Sequence, residues 1–360
     1  MKRAPLSARE LFWTSFLMMF PTMLLILPGD LLRMGGRYAW GTPLVAGLPA
    51  VALVGLIGSR AGRSAGLHQA LDSRFGAVFG RIALAAILAA LAVYTTLSTR
   101  EYAGLALSTF VFQDVPIWVL TVLGLIIAGA AASLGPTVIA RGAEVVAPLL
   151  LAVTVLLLLA ALPFSHFLWA LPLWPRSTAF TGLRPISETW VWLVEPLALT
   201  LLLEHVQPEA RAHAGSILAA SAALAALMTA VGLWVIVADF GPVRASQFVL
   251  PFFGLSKDMT FGSFLQHFEV LLIPVALLGG TGKMAIFYWL FARTGQLLTA
   301  GGIRIWLLVG LVGIGFASIV AFPNVAVLSA FLRTTGERVM MPALVAGFIA
   351  LVLLRRGVRS

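Results

Sequence analysis

Glu195 and Lys283 each stand inside a long apolar run, where an ionisable side chain is costly to keep. Such residues usually face a cavity, a partner or a transport path. Glu195 precedes Pro196 in VEPLALT, near the middle of its run, and is a candidate substrate contact or proton carrier. Its other reading is a structural partner for a basic residue or a backbone group. Lys283 ends the sequence Gly279–Gly280–Thr281–Gly282–Lys283. It could supply a fixed positive charge where a sodium-coupled carrier places its ion, or it could neutralise a carboxylate. Glu269 lies earlier in the same segment, about 21 Å away along a straight helix at 1.5 Å per residue, so these two cannot pair directly. Arg141 and Glu144, in VIARGAEVVAP, are three residues apart on one helical face and close enough to pair, as an entrance gate or as a structural clasp. Arg100 and Glu101 are consecutive and therefore face different partners, with a structural pairing preferred for Glu101. Thr22 and Thr200 could bring hydroxyls to a central site or back-bond to their own helices.

Positioning these groups falls to a set of apolar segments. The chain of 360 residues is 60% hydrophobic and only 11% charged, against about 25% charged in ordinary soluble domains. Uncharged windows such as 214–238 and 305–332 reach the roughly 20 residues that cross a bilayer. Ten spans are expected: Leu11–Leu32, Ala39–Ser59, Ile82–Phe110, Ile117–Leu134, Val138–Leu162, Ile186–Leu203, Ala214–Ala238, Phe264–Phe291, Ile305–Phe322 and Val339–Leu354. The connecting pieces, of which 163–185 and 239–263 are the longest, are too short to bury a core of their own, so residues 1–360 read as a single transmembrane domain. The opening MKRAPLSARELFWTSFLMMF lacks a small-x-small cleavage site, which favours a retained first helix over a cleaved signal.

Two of the spans are interrupted by proline. The first contains FPTMLLILPG, with Pro21, Pro28 and Gly29, and the sixth contains VEPLALT. Proline frees backbone polar groups, which must then be satisfied inside the bundle or at a ligand rather than by lipid. The two interruptions are five spans apart, the placement expected of two inverted five-helix repeats, 11–162 and 186–354. A plain proline kink is the simpler alternative. An even span count puts both termini on one side. Placing that side in the cytoplasm leaves fourteen of the 24 basic residues inside and eight outside, with Arg100 and Lys283 in spans; the bias follows the positive-inside rule. The net charge of +10 thus reads as topology and affinity for the lipid bilayer, with no nucleic-acid partner.

Several chemistries are excluded. With no cysteine there is no disulfide, thiolate nucleophile or cysteine-held metal. His68, His166, His205, His213 and His267 have no metal-ligand spacing, no nucleotide-binding lysine motif is present, and no cofactor is expected. The chain does not read as an enzyme.

Three stretches carry a family likeness: GPTVIARGAEVVAPL around residues 136–149, the pair FVLPFFGLSKD and FEVLLIPVALLGGTGKMAIFYWLF within 248–292, and the first span up to AWGTPL. With these the chain resembles the spore germination permeases, the B-type membrane subunits of nutrient germinant receptors, a branch of the amino acid/polyamine/organocation transporter superfamily. The resemblance implies an all-α polytopic membrane protein of about ten helices in a 5+5 inverted-repeat, amino acid transporter-like fold, with a central cavity between the first and sixth helices. It further implies a small amino acid or similar nutrient as ligand, other germinant receptor subunits as partners, and protons as a coupling ion if the chain transports. Arg141, Glu144, Glu269 and Lys283 are then the coupling or gating residues and Pro21, Thr22 and Glu195 the substrate contacts, to which the residue reading adds Thr200. Where amino acid carriers have a glycine-rich unwound segment, this chain has Glu195–Pro196, a departure at the point of substrate contact.

Overall fold

The computed structural model describes residues 5–63, 67–108, 114–171, 184–259, 267–299, 301–323 and 325–331. These residues are almost wholly helical: α1 (Ala8–Leu25), α2 (Leu27–Gly35), α3 (Gly41–Gly62), α4 (Leu67–Ser108), α5 (Ile117–Ser133), α6 (Pro136–Ala161) and α7 (Arg184–Leu193), then a 3-10 segment (Glu195–His205), α8 (Pro208–Ala212), α9 (Ala214–Ala245), α10 (Pro251–Asp258), α11 (Glu269–Thr299), α12 (Ile303–Ala321) and α13 (Val325–Phe331). Seven stretches are long and apolar enough to cross a membrane, eight if the bent pair α1–α2 is one span, and the apolar α5 adds a shorter one. Nine of the ten expected spans therefore correspond to helices. The tenth, Val339–Leu354, lies outside the described residues.

Helix boundaries follow local chemistry. Ser7 and Glu10 form a capping box, each side chain accepting from the other's backbone N–H, and this starts α1. α4, from Leu67, and α9, to Ala245, reach past the ends expected for the third and seventh spans, and each is interrupted in the added stretch by a glycine at positive φ, Gly76 at 71° and Gly241 at 72°. Glycine alone adopts that region without a steric penalty, so each marks a break where the helix changes direction. The connection 239–263 is also less open than its sequence suggests, since it holds α10.

The interrupted spans break in different ways. The chain bends by 51° between α1 and α2. Ile26 still donates to the Thr22 carbonyl at 3.0 Å, and Pro28, in the first turn of α2, has no N–H to offer. In the sixth span α7 ends at Leu193 and the chain tightens into a 3-10 segment of 11 residues rather than unwinding. Pro196 cannot donate back along an α-helix, and Leu197 donates instead to Val194 at 2.9 Å. Runs of 3-10 helix longer than three or four residues are uncommon and mark strain or a hinge.

α1 lies in the middle of the bundle against α9, α6 and α11, and α3 packs along α9. Small residues permit these approaches: Gly58 meets Gly215, Gly47 meets Ala226, and Gly279 and Gly282 of α11 meet Pro21 and Leu17 of α1. The Gly279–Gly282 run thus serves close packing, and α11 passes through it as one continuous helix. Leu48, Val312 and Phe316 remain exposed on the outer surface, as lipid-facing positions do. The chain enters α1 at Ser7 and, past the bend, reaches Asp30 in the first turn of α2, and these two residues name the two ends of the bundle below.

Candidate functional site

Four spans meet at the Lys283 ammonium. Its Nζ lies 2.8 Å from Glu195 Oε1, at the start of the 3-10 segment, and donates to Thr22 Oγ1 of α1 at 2.8 Å. Glu101 Oε2 of α4 is 3.8 Å away and accepts a 3.0 Å hydrogen bond from Thr22 Oγ1. The Trp192 ring centroid, on α7, lies 4.6 Å from Nζ, within cation–π range. Lys283, Glu101 and Glu195 are each at most 5% exposed at their side chains, so the cluster is cut off from solvent. It contains two carboxylates and one ammonium. Glu195 Oε2 and Glu101 Oε1 are buried without a hydrogen-bond partner, an arrangement that costs free energy until a proton or cation meets them.

The cluster separates two cavities. One lies toward the Asp30 end, has a volume of about 20 Å³, and is lined by Pro21, Thr22, Ser98, Glu101, Tyr102 and Lys283 among others. The other lies toward the Ser7 end, has a volume of about 30 Å³, and is lined by Tyr94, Glu195, Ala198, Leu201 and Phe287 among others. Tyr94 and Phe287 stack there at 5.4 Å. Thr22, Glu101 and Lys283 border the first cavity and Glu195 the second, so one ion pair spans both.

Among the described residues, ion pairs and backbone contacts link the helices at both ends of the bundle. At the Ser7 end Arg9 pairs with Glu144, and Arg141 lies 3.7 Å from Glu10. Arg293 pairs with Glu204 at 2.8 Å, and Leu6 and Val206 form a short parallel bridge through Leu6 N–His205 O and Gln207 N–Leu6 O at 2.8 and 2.9 Å. At the Asp30 end Gly29 abuts the Phe248 and Val249 carbonyls and Arg244 pairs with Asp258 at 2.7 Å.

Set against the sequence reading, the structure brings Thr22, Glu195 and Lys283 together and seats Pro21 beside them. Thr200 is turned away, because its hydroxyl donates to the Leu197 carbonyl at 2.6 Å in its own 3-10 turn. Arg141 and Glu144 do not pair with each other. Each reaches across to α1, where Glu10 and Arg9 offer partners at the same depth. Glu269 is remote from the cluster and pairs with His267 at 2.9 Å. Arg100 and Glu101 part as consecutive helical residues must, Arg100 donating to the Phe322 carbonyl. The sequence reading expected a structural pairing for Glu101 without naming its partners, which are Thr22 and Lys283 of the cluster, and it missed Trp192, Arg9 and Glu10. A buried lysine flanked by several intramembrane carboxylates was the available signal for Glu101. Among the described residues no three His, Cys, Asp or Glu side chains gather as a metal site would require.

Residues 5–324 match the family described as spore germination protein. The chain belongs to that family. No curated protein matches it. Solved structures share the fold of this chain at low identity. One is Mhp1, a nucleobase-cation-symport-1 family transporter, in a closed conformation with bromovinylhydantoin bound, with a TM-score of 0.71 and 15% identity over 98% of this chain and 79% of that one. MhsT in complex with L-phenylalanine gives 0.71 and 13%, over 97% and 89%. A substrate-bound, outward-open Na+-coupled sialic acid symporter gives 0.66 and 11%, over 98% and 80%. The architecture is therefore that of inverted-repeat membrane transporters, and the chain is a multi-pass membrane protein.

Proposed function

We propose that this chain is the membrane subunit of a nutrient germinant receptor, binding a small amino acid-like molecule in its central cavity and passing the resulting conformational change to partner subunits. The observation that carries this reading is the buried Lys283 ion pair, which ties the broken first and sixth spans together between two cavities. A molecule that competes for Lys283 or its carboxylates alters the tie between α1 and the 3-10 segment, and so biases one arrangement of the bundle over another. On this reading the Ser7 end faces the cytoplasm, as the positive-inside bias suggests, and the setting is the inner membrane of the spore.

The alternative is a permease that completes an alternating-access cycle with proton coupling. It is supported by the fold shared with three transporters and by the lysine ammonium standing where a bound cation would otherwise balance the two carboxylates. Counterflow in proteoliposomes separates the two. Saturable binding of an amino acid without exchange of internal for external label supports the receptor, and sustained exchange supports the permease. If none of the proteinogenic amino acids binds, both readings fail.

A further inference from the structure

Away from the central cluster, the outer face of the bundle carries a groove of different size and lining. It runs between α5 and α12 over the Tyr288 ring of α11 and has a volume of about 380 Å³, an order of magnitude above either cavity beside Lys283. Two glycines let that ring sit deep between the helices, since a methyl on Gly129 of α5 or Gly310 of α12 would strike it. The Tyr288 hydroxyl donates to the Leu307 carbonyl, so its proton is already used. The walls are aliphatic and open sideways, Ile126 being 52% and Leu308 64% exposed. At membrane depth such a groove faces hydrocarbon, and an apolar chain fills it without desolvating any polar group.

One charged residue lines the groove, Arg304. It is exposed and has no ion pair among the described residues. It stands toward the Ser7 end: α11 runs from Lys283 to Arg293, which pairs with Glu204 there, and on to Thr299, which accepts from the Trp306 indole. An apolar groove inside the membrane with a lone cation at one end fits an amphiphile whose head is negative. We propose that the groove is a binding site for one anionic phospholipid, with an acyl chain against Tyr288 between α5 and α12 and the phosphate on Arg304. The guanidinium donates a planar pair of hydrogen bonds to a phosphate, while its aliphatic stem covers apolar wall. A basic residue between membrane helices on the cytoplasmic side suits such lipids, and the Ser7 end is cytoplasmic in the orientation proposed above. The lipid then braces α5 and α12 against α11, the helix that also carries Lys283.

The test uses the full-length protein, delipidated in detergent, and native mass spectrometry with three probes: dioleoyl-phosphatidylglycerol, dioleoyl-phosphatidylcholine and glycerol phosphate, which has no acyl chain. One phosphatidylglycerol is expected to be retained at least tenfold more tightly than phosphatidylcholine, and glycerol phosphate not at all at the same concentration. Arg304→Gln should bring the two lipids within threefold of each other, and Arg304→Lys should restore part of the preference. Ala130→Phe, which fills the groove from an exposed position, should weaken both lipids at least fivefold. A phosphatidylglycerol with a diazirine in its acyl chain should cross-link to peptides of α5 and α12. Thermal midpoints near that of the wild type show that the variants are folded. Equal retention of the two lipids by the wild type, an unchanged preference in Arg304→Gln, or cross-links confined to other helices would overturn the site. Retention of glycerol phosphate as tightly as the lipid would overturn the placement of the acyl chain. No retention of either lipid would overturn the proposal as well and leave this face to an apolar helix of another protein.

Discussion

α1 is tied by charge at two depths, and the two ties obey different physics. Midway along the bundle Thr22 meets Lys283 and Glu101 inside a dry cluster. At its start Arg9 and Glu10 reach Glu144 and Arg141 at the rim, where the arginine side chains are 75% and 65% exposed. Water screens the rim pairs, so each contributes little to stability and is readily released. Inside the cluster no water compensates a lost partner, and removing one member strands the others. A two-state bundle needs both: a costly centre that registers what is bound, and an inexpensive rim that opens in response.

The largest effect follows from emptying the centre. Lys283→Met leaves Glu195 and Glu101 buried without their cation and is expected to cost about 3–5 kcal/mol, the usual penalty for breaking a buried pair. Thermal or denaturant unfolding in detergent measures it. Adding Glu195→Gln to Lys283→Met should restore a large part of the loss, since the stranded charge is then gone. Two additive losses would show that the residues do not interact. At the rim, no single arginine substitution should approach this size.

A smaller effect sharpens the comparison within the threonines. Thr22→Val removes a hydroxyl that both accepts from Lys283 and donates to Glu101, at an expected cost of about 1–3 kcal/mol for leaving buried polar groups unsatisfied. Thr200→Val removes a hydroxyl bonded only to its own turn and should stay within about 0.5 kcal/mol of the wild type. Equal losses in the two variants would contradict the placement of Thr22 in the cluster.

These threonines also show how far the sequence could be read. Both stand near a proline in an interrupted span, so spacing alone could not separate them. The interruptions, the apolar spans and the ionisable residues too costly to place in lipid are local properties, and they were legible. The rotation of one helix relative to another is not local. Thr200 turned away because its segment tightened into a 3-10 helix, which changes the angle between successive side chains. Glu101 was expected to pair structurally, but spacing could not name its partners, which come from α1 and α11, far away in the chain. Arg141 and Glu144 satisfied the spacing rule for a helical pair, but α1 brought oppositely charged residues to each of them.

The smallest expected energetic effect is at the rim, and its consequence is conformational. Arg9→Ala combined with Arg141→Ala should lower stability by at most about 1 kcal/mol per pair. If these contacts hold the Ser7 end shut, the variant opens that end while leaving the centre intact. The chain has no cysteine, so single cysteines report access without background. Ala198→Cys places a thiol in the cavity nearer the Ser7 end, and Ser98→Cys in the one nearer the Asp30 end. The double arginine variant should raise the rate at which a membrane-impermeant thiol reagent labels Ala198→Cys severalfold and leave Ser98→Cys unchanged. Equal acceleration at both sites would mean general loosening of the bundle. No change at either would assign the closure of that end to the Leu6–Val206 bridge and the Glu204–Arg293 pair, and the rim arginines would then hold no gate.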